Sequence, residues 1–219
     1  MFVTDEIAAG WTASGGSAQV QPERRVGERY FAAVLAYQDA ANLPQNSHTF
    51  AVFARVRCQN FEDLANSGAT VESQTISWMP ADLKIKVMRF EPEPGRNLSL
   101  TETLEFAHAQ DLTVTVRGPF PTDKALYQMA AERVAFLNSG RLKYILGDWF
   151  ARKNGACNCI HAISDLDSTQ PLLQSGLVHG DSAGAAVTRH LERWFLPSRN
   201  DDISWLRKKL HLQDVLVEP

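Results

Sequence analysis

The chain has 219 residues, 44% of them hydrophobic and 21% charged, with a formal net charge of −3. This is ordinary globular composition with enough apolar material for a sizeable core, and its charge gives no footprint for nucleic acid or an anionic membrane. Three cysteines, Cys58, Cys157 and Cys159, are too few for a disulfide framework and fit a reducing, cytoplasmic setting.

Residues 1–26 mix Gly, Ser and Pro without the apolar stretch of a signal peptide, and read as a loosely packed arm. Tyr30–Tyr37 is a compact apolar run rich in Tyr, Phe and Val, read as a strand that breaks before Pro44. His48–Arg57 is a second strand, with Phe50, Val52, Ala54 and Val56 on the face of His48 and Phe53 opposite. After a polar loop near 60–68, Val71–Trp78 and Leu83–Met88 are further strand candidates, and Glu91–Gly95 with its two prolines reads as a turn. Ser99 and Glu102 form a capping box for a helix to about His108. Val114–Val116 is a short strand ending at Gly118-Pro119, and Thr122 caps a helix that Gly140 stops. Leu142–Phe150 reads as a strand leading to the cysteine segment. Two helices, about Ser182–Phe195 and Asp202–Leu210, close the chain. The Arg207-Lys208-Lys209 run lies on the second and reads as a solvated face. No run reaches transmembrane length.

Asn158 suits a helix N-cap, which places Cys159 in the first turn, where the dipole and unpaired amides favour a thiolate and an oxyanion. His161, two residues on, points away from Cys159, so a base must come from elsewhere, and His48 at a strand head is best placed.

A histidine opening an apolar strand (Ser47–Phe53) followed by Asn158-Cys159-Ile160-His161 resembles the circularly permuted branch of the papain-like, NlpC-type superfamily, which includes the lecithin:retinol acyltransferase-like proteins. The resemblance spans about residues 46–167. It implies a central antiparallel sheet packed by the cysteine helix, with Cys159 as nucleophile and His48 as base. It also implies a third polar residue that orients the imidazole, for which Gln74 is the first choice and Ser77 the alternative. Ile160 stands where the family commonly has Glu, and no second histidine closely follows His48. A catalytically silent binding or scaffold domain of the same fold therefore stays open.

Two other constellations compete. Cys157, Cys159, His161 and His48 are possible zinc ligands, but Cys-x-Cys spacing is poor for a structural site and no second cysteine pair exists. Gly180-Asp181-Ser182-Ala183-Gly184 matches a nucleophile elbow, with Asp201 or Asp202 and His211 following, but a weak strand precedes it and too little chain follows. Ser182 reads better as a helix N-cap. The expectation is an α+β protein: an arm (1–26), a papain-like core (27–170) and a helical extension packed on that core (171–219). As an enzyme it would be a thiol hydrolase or acyltransferase acting on a peptide, amide or acyl substrate without a cofactor.

Overall fold

Two apolar runs set the architecture. In the computed structural model, which describes residues 27–58, 68–147, 155–167, 169, 173, 178–197 and 203–218, β1 (Gly27–Gln38) and β2 (His48–Cys58) pair antiparallel with Tyr37 opposite His48. Every side chain from Tyr30 to Tyr37 and from His48 to Ala54 is buried. Strands apolar on both sides need cover on both sides.

β3 (Thr70–Ile76) flanks β2, β6 (Thr113–Thr122) flanks β1, and β9 (Leu216–Val217) runs parallel to β6, giving the order β3-β2-β1-β6-β9. A smaller sheet orders β4 (Trp78–Pro80), β5 (Glu93–Asn97), β7 (Lys143–Tyr144) and β8 (Ala156–Cys157), with β7 and β8 parallel. On one face of the large sheet, Ala32, Val34, Ala51 and Phe53 pack against α2 (Lys124–Asn138), α3 (Cys159–Ser164) and α4 (Gly180–Leu191). On the other, Leu35, Tyr37, Phe50 and Val52 pack against α1 (Leu100–Ala109), α5 (Ser204–Lys209) and the segment that follows it. The protein is a mixed α+β structure with two mostly antiparallel sheets. Among the described residues no helix is long and apolar enough to cross a membrane.

Several local expectations change in instructive ways. The capping box forms as expected: Ser99 Oγ accepts from Glu102 N, and Glu102 accepts from Ser99 N at 2.8 Å. Thr122 instead ends β6, and Asp123 caps α2 by accepting from Ala125 N at 2.7 Å. Ser182 is not a cap, because α4 already begins at Gly180, whose φ of +57° follows from the turn into the helix. Leu83–Met88 is no strand. Lys86 Nζ reaches both Asp82 and Glu93 at 2.6 Å and curls the segment back on itself. The strand forms at Glu93–Asn97, where a turn was expected. There the bare Cα of Gly95 accommodates the buried indole of Trp78. Nor does β6 stop at Gly118-Pro119. It continues through a register shift opposite Ala32/Val34. The 1–26 arm, most of the 60–68 loop and residues 148–150 of the expected Leu142–Phe150 strand lie outside the described residues.

A methyl group at position 95 would collide with Trp78 Cζ2, and Trp78 is fully buried. Gly95→Ala is expected to cost about 1–3 kcal/mol by overpacking. Urea unfolding checks this, and an unchanged midpoint would contradict the packing described.

Candidate functional site

The site is assembled from four chain segments that end at one place. The head of β2 supplies Ser47, His48 and Thr49; the chain after β7 supplies Leu146 and Gly147, next to Tyr144. The head of α3 brings Asn158, Cys159 and Ile160, and the head of α4 brings Val178, His179 and Gly180. Together with Pro44 and the curled 85–90 segment they enclose a pocket of about 250 Å³. A larger groove near Tyr30 and Pro121 has neither cysteine nor histidine on its walls.

Asn158 fixes the head of the cysteine helix. Its Oδ1 accepts from His161 N at 2.9 Å, and its Nδ2 donates to Leu146 O at 3.0 Å. The far end of the same short helix is held by Arg133, whose guanidinium donates to His161 O at 3.1 Å and Ala162 O at 3.0 Å. A cation on terminal helix carbonyls is the favourable arrangement. Cys159 thus stands in a first turn anchored at both ends, and is 7% exposed. Cys157 is off the pocket wall, and burial pushes its thiol up to about 12 despite Arg133 nearby. It stays protonated at neutral pH. The His161 ring turns to Asp165, with Nδ1 3.0 Å from Oδ1, and does not line the pocket.

His48 is buried on the opposite face of β2 from the cysteine helix, stacked on Phe50 with ring centroids 5.7 Å apart. It and Cys159 both line the pocket at the strand end. Its Nε2 lies 2.9 Å from Ser77 Oγ; Ser77 Oγ is 2.8 Å from Thr103 Oγ1, which in turn lies 2.7 Å from Ser99 O. Each hydroxyl has one proton, so all three contacts are satisfied only if Thr103 donates to Ser99 O, Ser77 to Thr103, and His48 Nε2–H to Ser77. That assigns the tautomer, leaving Nδ1 with a lone pair. Nδ1 is buried and without a hydrogen-bond partner, so neither ring nitrogen is bonded to the Cys159 sulfur.

The polar residue that meets the His48 ring is Ser77, not Gln74. Register gives the reason: Ala51 pairs with Ile76 and Phe53 with Gln74, so Gln74 shares the Phe53 face and cannot reach His48. Thr75 and Ser77 alternate onto the His48 face. Ser77 is held in turn by Asn97, whose Oδ1 accepts its amide at 2.8 Å. Sequence reasoning missed Tyr144, which lines the pocket with a buried hydroxyl lacking a hydrogen-bond partner. Its only sequence signal is its position on the strand leading to the cysteine segment. Ser182 is exposed in α4 and off the pocket wall, and among the described residues no three His, Cys, Asp or Glu side chains converge as metal ligands.

Burial pulls the His48 pKa down to about 3, so the ring is neutral at physiological pH. Unfolding releases it to its ordinary value near 6.5, so between these values the unfolded chain binds the extra proton and stability rises with pH. Acidification below about pH 6 should cost roughly 1.4 kcal/mol per unit through this group, with carboxylates adding their own terms. His48→Gln should flatten the profile by that slope in denaturant titrations at successive pH values. Equal slopes would show that the imidazole is not held neutral. Comparison with protein-family models, with curated proteins and with solved structures finds no match to this chain.

Proposed function

We propose that the protein is a thiol-dependent hydrolase or acyltransferase of permuted papain-like architecture, with Cys159 as nucleophile and His48 as general base. One observation carries this reading: His48 is oriented by Ser77 through Nε2, its Nδ1 is buried and unpartnered, and Cys159 lines the same pocket. The arrangement is that of a nucleophile, a base and an orienting group. Loose contacts before substrate arrives are common in such sites and tighten in the complex.

In this mechanism Nδ1 of neutral His48 takes the Cys159 proton as sulfur bonds to a carbonyl carbon. The imidazolium then gives that proton to the departing amine, alcohol or thiol as its bond to the carbonyl breaks. Water or a second nucleophile, deprotonated by His48, releases the acyl group and restores the thiol. Tyr144 and the Cys159 amide supply donors for the oxyanion. The imidazolium is disfavoured by burial, so the ring rests as neutral imidazole until it takes a proton in the reaction.

A catalytically silent domain that binds through the same pocket is the second reading, supported by the missing His48–Cys159 hydrogen bond. One experiment separates the two. Incubation with p-nitrophenyl acetate should give an acyl group on Cys159, located by peptide mass spectrometry, and none on Cys58 or Cys157. His48→Gln should lower kcat/KM by about 10²–10⁴-fold, and Ser77→Ala by up to about 10²-fold through misplacement of the ring. Acylation that ignores His48, or that spreads over all three cysteines, would leave the silent reading.

A further inference from the structure

We infer that Thr103, one turn into α1, is the positioning residue that decides which nitrogen of His48 serves as the base, an inference that rests on the thiol mechanism above. The carbonyl at the far end of the hydrogen-bond chain is the first argument. Ser99 O can only accept, and it is pinned: Ser99 caps α1, and its carbonyl takes Thr103 N at 3.0 Å. Thr103 Oγ1 lies 2.7 Å from the same oxygen, the shortest contact of the chain. Two oxygens this close without a proton between them would set lone pair against lone pair, so the Thr103 proton is committed to Ser99 O. Thr103 then meets Ser77 as an acceptor. Ser77 uses its single proton on Thr103, and only Ser77 lone pairs are left to face His48 Nε2.

The second argument is that nothing else in the chain can turn. His48, Ser77 and Thr103 are all buried, so each depends on the protein for its partner. The Ser77 backbone is held on both sides: its amide donates to Asn97 Oδ1 at 2.8 Å, and its carbonyl accepts from Leu98 N at 2.9 Å. What stays open is the direction of the Ser77 hydroxyl proton, and Thr103 sets it.

The reverse direction has a chemical consequence. If Ser77 donated to Nε2, the ring proton would sit on Nδ1, which is buried without a hydrogen-bond partner. That would strand an N–H donor where the observed direction leaves only a lone pair. It would also remove the lone pair that takes the Cys159 proton. A helix residue that does not line the pocket therefore acts on the base through Ser77.

The test labels the histidines of the whole chain with ¹⁵N and reads the His48 tautomer from two-bond ¹⁵N–¹H correlations, assigned with His48→Gln. The wild-type ring should carry its proton on Nε2. Thr103→Val keeps the shape of the side chain and removes both hydroxyl contacts. Rings protonated on Nδ1 should then appear, and kcat/KM for p-nitrophenyl acetate should fall about 10-fold, at most about 10²-fold. Thr103→Ala should repeat the tautomer change, and Thr103→Ser, which keeps the hydroxyl, should restore both tautomer and rate. Nδ1–H in the wild type, or Nε2–H alone in the Val and Ala variants, overturns the inference whatever the rate does. A changed tautomer with unchanged kcat/KM confirms that Thr103 sets the tautomer and overturns Nδ1 as the base. Absence of acyl-Cys159 in the wild type overturns the thiol reading and, with it, any catalytic meaning of Thr103.

Discussion

Burial of β1 and β2 on both faces is the constraint from which the rest follows. A pair of strands whose side chains are apolar on each side cannot stand in water on either. Helices α2, α3 and α4 cover one side, and α1, α5 and the following turn cover the other. The apolar demand ends at the head of β2, where Ser47, His48 and Thr49 are polar and still buried. Buried polar groups need partners, and each of the three finds one: Ser47 donates to Pro44 O, Thr49 to Gly180 O, and His48 Nε2 meets Ser77. The core therefore brings the chain segments of the site together because it must satisfy these groups.

The polar connections continue outward from that point. Ser77 is gripped by Asn97 on β5 and touches Thr103 on α1, so the small sheet and the first helix both fix the imidazole. On the other side of the pocket, α4 is located by the polar contacts of its first turn. Asp181 accepts from Arg117 at 2.5 and 2.9 Å and from Thr115 at 2.8 Å, and its amide donates to Gln38. Arg117 is nearly fully buried, so breaking that pair would strand a guanidinium inside the protein. The consequence for the site is positional: Gly180, at the same turn, forms pocket wall, and Thr49 binds its carbonyl.

Much of this was legible in the sequence, for reasons that differ by element. The β1 and β2 runs are visible because two-sided burial leaves continuous apolar stretches, and the Ser99 capping box because its partners lie three residues apart. Asn158 and Cys159 are visible for the same local reason. What sequence could not supply is anything that depends on a distant neighbour. Gly95 reads as turn material until Trp78 is seen lying against it, and Leu83–Met88 alternates like a strand until Lys86 finds Asp82 and Glu93. Gln74 and Ser77 are separated by one question, which face of β3 each occupies. Only the register with β2 answers it.

Cys157 and Cys159 show how far two residues can diverge within one turn of chain. Both are buried, and neither forms a disulfide. Cys157 ends a two-residue strand, facing Arg133 away from the pocket, where burial holds its thiol protonated. Cys159 starts the helix that Asn158 caps, and lines the cavity shared with His48 and Tyr144. Exposure alone would not separate them. Backbone direction does, because the strand-to-helix transition at Asn158 sends one sulfur into the core and the other to the pocket. A reactive site on this chain therefore depends on the geometry of that transition, held by the Asn158–Leu146 bond at one end and Arg133 at the other.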